Sequence, residues 1–122
     1  EAVSRAGAVG LMQVMPGTAA AVCEDLGLPA PAERDLFDPE INVRIGAHYL
    51  AKMLRSFDDP HLALGAYNAG PGNVRRWMAK RPGCTGADVI RAEGFPETRA
   101  YVARVMASWK SRKKRAARTD TE

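Results

Sequence analysis

The sequence predicts an all-α fold, a compact helical domain with a groove for a substrate. Apolar residues recur at three- and four-residue spacing from Ile41 to Phe57, as they do on one face of a helix. No segment alternates polar and apolar residues with the period of two that marks a strand. The length of 122 residues allows one domain with one modest core.

The first third of the chain predicts one short helix between two loops. The glycines of residues 2–10 favour a turn-rich loop, since glycine adopts tight turns at little cost. Thr18 is predicted to cap a helix that Gly27 ends. Two prolines in residues 28–36 predict a second loop.

Two helix starts carry the same signal, an aspartate followed by proline, which is a capping side chain before the first helical position. Asp38-Pro39 opens the long central helix. Asp59-Pro60 opens a helix of small residues from His61 to Ala69, suited to tight packing.

The remaining sequence predicts three shorter elements and a tail. Asn73 is predicted to cap a short helix through Met78, residues 87–91 to form a turn or two, and Pro96 to open a final helix. The apolar residues on one side of this last helix are Tyr101, Val102, Val105, Met106 and Trp109. From Lys110 to Arg118 the apolar period is lost, which predicts a solvated or frayed tail.

The charge is concentrated at the C-terminus. Residues 1–109 contain 12 basic and 12 acidic residues, whereas residues 110–122 contain 6 basic and 2 acidic ones and account for the net charge of +4. The basic run allows a nucleic-acid-binding helical domain as one alternative. A charge-balanced domain without an aromatic and basic surface disfavours it, so no nucleic acid partner is expected. No apolar run reaches the roughly 18 residues that span a bilayer, so no integral membrane segment is expected.

Two stretches predict a groove. In GAVGLMQVMPGTA, residues 7–19, Gln13 interrupts an apolar run, and burying its amide would require several hydrogen-bond partners. In ALGAYNAGPGNVRRW, Tyr67 and Asn68 stand at the end of a helix, directly before Gly70-Pro71-Gly72. That order indicates that the helix stops here and presents two hydrogen-bonding side chains at its C-terminal end.

Three motifs, which include parts of these two stretches, resemble a known protein family. S-x-x-G-A-x-G-L-M-Q-V-M-P-x-T-A, A-Y-N-A-G-P-G-x-V and F-P-E-T-R-x-Y-V follow one another in this sequence. Together they resemble the soluble lytic transglycosylase domain, a lysozyme-like fold that cleaves bacterial peptidoglycan. The superfamily is α+β, with little or no sheet expected here. The resemblance implies a transglycosylase-like domain at residues 1–109 and a basic tail at residues 110–122.

The resemblance also implies a reaction. Such domains cleave the β-1,4 bond between N-acetylmuramic acid and N-acetylglucosamine and form a 1,6-anhydro-muramyl end, with one glutamate acting as acid and then as base. No cofactor or metal is implied. The expected partner is the peptidoglycan glycan strand, the expected state a monomer, and the expected location the periplasm, cell envelope or exterior. A catalytically inactive glycan-binding relative and a lysozyme-type hydrolase remain alternatives.

Seven residues match functional positions of the family. Ser4 and Glu97 would support catalysis, Ser4 by bonding the acetamido group or the acid and Glu97 by orienting or binding. The substrate-binding positions are Gln13, Met15, Tyr67, Asn68 and Tyr101. From the residues alone, Ser4 could equally bond its own backbone, Gln13 could be a buried amide bonded to backbone, and Met15 and Tyr67 could belong to the core. Glu97 could stabilise its helix and pair with Arg99 or Arg104.

The catalytic acid itself is expected elsewhere. Its glutamate lies in an E-S-x-F-N-P helix, nine residues before the position of Ser4 and therefore upstream of Glu1. Glu1 matches the variable residue that follows the N-P of that motif. The resemblance therefore implies a domain lacking the catalytic helix at its N-terminus, and a chain that is inactive by itself.

Cys23 and Cys84 allow one disulfide without requiring it, and a buried lone thiol is as reasonable for Cys23. His48 and His61 are interpreted as helix-surface residues, and the sequence contains no metal-ligand spacing.

Overall fold

The computed structural model describes residues 16–29, 35 and 38–121, with side chains described to Arg115. Six helices and no strand occur in these ranges, which confirms the predicted all-α fold. The helices are α1 Pro16–Asp25, α2 Pro39–Ser56, α3 Pro60–Ala69, α4 Pro71–Lys80, α5 Gly86–Glu93 and α6 Pro96–Thr121. None of these six helices is long and apolar enough to cross a membrane. The predicted loop at residues 2–10 lies outside the described ranges.

Both aspartate-proline signals start helices as predicted. The Oδ1 atom of Asp38 accepts a hydrogen bond from the backbone N–H of Glu40 at 2.9 Å. Asp59 Oδ1 likewise accepts from the backbone of His61 at 2.7 Å. Proline also opens α1, α4 and α6, where its fixed φ suits the first helical position and its missing N–H costs nothing.

The predicted caps Thr18 and Asn73 were wrong, because a proline upstream of each residue already starts the helix. Thr18 lies inside α1, because the helix already begins at Pro16. Asn73 lies in the first turn of α4, which starts at Pro71, and its side-chain amide donates to the carbonyl of Ala69 at 2.7 Å. Thr85, for which no cap was predicted, caps α5 by accepting a hydrogen bond from the backbone N–H of Asp88 at 3.2 Å.

The C-terminal tail is helical rather than frayed. α6 continues to Thr121, since Lys, Arg and Ala favour the helix even without tertiary contacts. Every residue from Lys110 to Arg115 is exposed, so the solvated part of the prediction is confirmed for these six residues.

The chain forms two compact units, residues 1–52 and 53–122. In the first unit, α1 and the beginning of α2 share a small apolar core. Its buried members are Ala19, Val22, Cys23 and Ile45, with Ile41 and Tyr49 packed against them. Both thiols are free: Cys23 is buried in this core, whereas Cys84 is exposed.

In the second unit, α3 is the central element and contacts α4, α5 and α6. It buries five consecutive small or aliphatic residues, Leu62 to Ala66. A Cβ atom at Gly65 would stand 2.5 Å from Ile90 Cδ1, so α3 and α5 approach too closely for any other residue without repacking. Gly70, at φ +95°, ends α3 in a conformation that glycine adopts readily, and α4 follows at once.

Candidate functional site

Of the three sequence blocks quoted above, the second, A-Y-N-A-G-P-G-x-V, and the third, F-P-E-T-R-x-Y-V, meet where α3 ends and α6 begins. The Thr98 hydroxyl donates a hydrogen bond to Asn68 Oδ1 at 2.8 Å. Beside this bond, the rings of Tyr67 and Tyr101 lie stacked, with centroids 6.2 Å apart and planes 10° from parallel. The fold thus brings together Tyr67, Asn68 and Tyr101, three residues predicted to bind substrate. The hydroxyl of Thr98 holds the Asn68 amide by a hydrogen bond.

Local geometry explains why these side chains converge. Tyr67 and Asn68 occupy the last turn of α3, before the stop at Gly70. Thr98 and Tyr101 are three residues apart near the start of α6, and residues at that spacing lie on the same face of a helix. The start of α6 is also held by an aromatic contact, because the rings of Phe95 and Trp77 pack in a T-shaped arrangement with centroids 5.1 Å apart and planes at 86°.

Thr98 is the residue that sequence reasoning missed. Its side chain is 1% exposed, and its hydroxyl occupies the amide oxygen of Asn68. The Asn68 amide nitrogen is therefore the group available to donate to a ligand. The available signal was its position three residues before Tyr101, on the same helical face.

Tyr101 is held as a neutral phenol. Burial raises its pKa above the ordinary value of 10.0, and the guanidinium of Arg104 opposes this only in part. That guanidinium lies 5.9 Å from the centroid of the Tyr101 ring, within the range of a cation–π contact. At neutral pH the Tyr101 hydroxyl can therefore donate a hydrogen bond as well as accept one.

Glu97 is exposed in the first turn of α6, where the helix dipole favours its negative charge. It forms no ion pair with Arg99 or Arg104. The structure therefore does not support the alternative in which Glu97 stabilises its helix by pairing with either arginine. Its predicted role toward substrate stays a prediction.

The first sequence block runs from Ser4 to Ala19, and only its last four residues, Pro16–Ala19, are among the described residues. Ser4, Gln13 and Met15 all fall before Pro16, and their assigned roles remain predictions.

The two histidines are half-buried rather than fully on the surface. Nδ1 of His61 lies 3.3 Å from Asp59 Oδ1, beside the carboxylate that caps α3. Within the part of the chain that the structure describes, no group of three or more His, Cys, Asp or Glu side chains could hold a metal ion.

Comparison with known proteins places these observations in a family. The sequence profile of the family described as "Transglycosylase SLT domain" matches residues 1–89. The chain is 40% identical over 107 residues to the soluble lytic murein transglycosylase of Escherichia coli K12. It is 37% identical over 108 residues to a putative soluble lytic murein transglycosylase of Haemophilus influenzae. These alignments cover 85% and 87% of this chain but only 17% and 18% of the relatives' lengths.

Solved structures agree in fold. An inactive glutamate-to-glutamine mutant of lytic transglycosylase Slt from Pseudomonas aeruginosa superposes with a TM-score of 0.71 at 42% identity. The 70 kDa soluble lytic transglycosylase of Escherichia coli gives 0.73 at 39% identity. The 70-kDa soluble lytic transglycosylase in complex with bulgecin A gives 0.74 at 38% identity. Each superposition covers 84% of this chain and 17% of the other.

Proposed function

Because this chain belongs to the transglycosylase SLT domain family, we propose that it is the glycan-binding part of a peptidoglycan lytic transglycosylase. The parent protein would cleave the β-1,4 bond between N-acetylmuramic acid and N-acetylglucosamine and leave a 1,6-anhydro-muramyl end. It would act as a monomer, without a cofactor, in the periplasm or cell envelope, where peptidoglycan is found.

The observation that carries this proposal is the junction of α3 and α6. Tyr67, Asn68 and Tyr101 offer an aromatic face, an amide donor and a neutral phenol within one small area. Sugar rings present apolar faces, hydroxyls and acetamido groups, which are the partners that such side chains contact. Thr98 and the ring stacking hold these groups in place before a ligand arrives, so little entropy is lost on binding.

The proposed reaction needs one carboxylic acid. The glutamate protonates the leaving glycosidic oxygen while the acetamido group assists at the anomeric carbon. The resulting carboxylate then accepts the proton of the sugar's own C6 hydroxyl, whose oxygen closes the anhydro ring. The acid is regenerated and no water is consumed. Asn68 and the two tyrosines would position the sugar during these steps.

The resemblance to the family's E-S-x-F-N-P motif implies that this glutamate lies nine residues before the position of Ser4, upstream of Glu1. We therefore propose that residues 1–122 bind glycan strands without cleaving them. An inactive glutamate-to-glutamine mutant of the Pseudomonas aeruginosa relative supports a glutamate as the essential acid. Glu97 is a poor substitute, because its side chain is exposed to solvent at the start of α6, whereas the acid of a glycan-cleaving enzyme is held in a poorly hydrated pocket.

The test uses purified sacculi and mass spectrometry. The parent should release muropeptides with anhydro ends, lighter by one water than hydrolysed ends, while its Glu→Gln variant and residues 1–122 release none. Reducing muramic ends from the parent would instead indicate a lysozyme-type hydrolase. Anhydro products from residues 1–122 at the parent's rate would make Glu1 or Glu97 the catalyst.

A second test addresses the residues. In the parent, Tyr67→Phe should lower turnover by roughly 10- to 100-fold through a lost transition-state hydrogen bond, with an almost unchanged melting temperature. Gln13→Ala should also lower turnover without destabilisation. Tyr49→Phe is the matched control, since Tyr49 is a half-buried tyrosine packed on the core of the first unit. A large loss of stability with normal turnover would mean that Tyr67 and Gln13 are core residues and do not contact the substrate.

A further inference from the structure

An apolar groove lies between α5 and α6, on a different side of α6 from the candidate site. Its volume is about 470 Å³. Met106, which lines the groove, is separated from Tyr101 by about 140° around the helix, at 100° per residue. The apolar residues that form the floor of this α5–α6 groove are Ala87, Ile90, Val102, Ala103, Met106 and Ala107.

Four side chains that carry or can carry positive charge border the floor of the groove. Two of them, Arg91 and His61, already lie beside carboxylates. The other two, Arg99 and Lys110, are exposed on α6. Neither forms an ion pair with any residue whose side chain the structure describes. A ligand with carboxylates would therefore find two unpaired cations here.

These two cations stand at opposite ends of the apolar part of α6. Arg99, Val102, Met106 and Lys110 recur at three- and four-residue spacing, which places them on one side of the helix. Arg99 and Lys110 are eleven residues apart, or about 16 Å at a rise of 1.5 Å per residue. The groove therefore presents about three helical turns of apolar surface between two positive ends.

We propose that the α5–α6 groove is a docking site for an amphipathic helix of a separate partner protein, with Asp or Glu at each end of an apolar face about three turns long. Helices commonly bind by laying their apolar face in such a groove. Ala103 and Ala107 are exposed and leave room for the partner's larger side chains. The terminal carboxylates would pair with Arg99 and Lys110.

The charges and the shape favour this occupant over three others. A symmetric dimer would place the same groove of each copy face to face, so that Arg99 and Lys110 would meet cations. Binding to a membrane surface needs protruding apolar side chains, whereas Ile90 and Val102 are buried and the exposed members of the floor are alanines. Permanent interfaces are mostly apolar, whereas four of the ten lining residues are basic or histidine.

The experiment selects ligands for the 122-residue chain from a displayed library of helices about four turns long, carried on a stable helical scaffold. Each helix has a fixed apolar face and randomised residues at both ends of that face. Wild type should enrich Asp and Glu at both ends, whereas Arg99→Glu/Lys110→Glu should enrich Lys and Arg. Arg55→Glu/Arg112→Glu is the matched control. It changes the net charge equally at two exposed cations outside the groove, and it should select acids as wild type does.

The affinity for one selected acidic helix is then measured by fluorescence anisotropy. It should fall about 10-fold in Arg99→Gln/Lys110→Gln, as the loss of two exposed ion pairs allows. It should fall at least as far in Ala103→Trp, whose indole would occupy the groove. Tyr101→Phe should bind the helix as tightly as wild type, so this result is independent of the glycan site. Circular dichroism verifies that each variant is folded.

Four outcomes would overturn the inference. A selection that yields no binder, or the same acidic ends in wild type and the charge-reversed variant, removes the proposed partner. Dimerisation of the chain that Ala103→Trp abolishes makes a second copy the occupant. Binding to phosphatidylglycerol vesicles, in place of helices, that requires Arg99 and Lys110 makes the groove a membrane-binding surface. A parent protein that fails to bind the selected helix covers this groove with its own domains.

Discussion

The two halves of α6 are held by different forces. In residues 96–106, Thr98 and Val102 are buried and Tyr101 stacks on Tyr67. In residues 107–115, every described side chain is exposed. The first half is therefore fixed by packing against the rest of its unit, whereas the second depends on helix propensity and on contacts within the helix such as Lys113 over Trp109.

This contrast bears on where a ligand could be held. A sugar site needs fixed donors and rings, and the residues proposed for it lie on the half that packing immobilises. The F-P-E-T-R-x-Y-V motif lies at the start of that same half.

Truncating an apolar side chain in each half of α6 should give the largest difference in stability between the two halves. Val102→Ala should lower the free energy of unfolding by about 2 kcal/mol, through lost burial and the cavity left behind. Trp109→Ala removes a larger side chain but should cost less than about 1 kcal/mol, since that ring is largely exposed. Urea denaturation measures both. Equal losses would mean that the second half of α6 is as tightly packed as the first.

Removing one hydroxyl from each half gives a smaller effect. Thr98→Val keeps the shape but leaves the Asn68 oxygen without its donor, so stability should fall by about 1 kcal/mol. Glycan affinity should fall as well, because the Asn68 amide is no longer oriented. Ser108→Ala should leave stability unchanged. If Thr98→Val binds glycan like wild type, the hydrogen bond is structural only.

How far the sequence predicted these features depends on whether the signal was local. The starts of α2 and α3 were predictable from Asp38 and Asp59, because a cap and the proline after it act within a few residues. Thr98 was not, since its partner Asn68 is 30 residues away and no single sequence states which helices pack. The length of α6 was missed because the loss of apolar period removes packing, not helix propensity.

The smallest predicted effect is on the pH dependence of stability. Burial raises the pKa of Tyr101 in the folded state above 10.0. Its contribution is therefore complete below about pH 10 and is lost as the pH rises through the folded-state value. Tyr101→Phe should show a shallower loss of stability above about pH 10. Burial raises the pKa of Tyr49 as well, so some alkaline loss should remain.

Urea midpoints at about pH 8 and about pH 11 bracket the unfolded-state value and measure this difference. An identical alkaline decline in wild type and Tyr101→Phe would mean that Tyr101 is solvated in the folded protein.

The most direct test of the glycan site is an NMR titration of the 122-residue chain with an oligomer of alternating N-acetylglucosamine and N-acetylmuramic acid. A site at the junction of α3 and α6 predicts saturable shifts of the Asn68 side-chain amide and of the backbone amides of Tyr67 and Tyr101. Asn68→Ala should weaken this binding. Shifts confined to α5 and the end of α4, or no shifts at any of these three residues at saturation, would contradict the site.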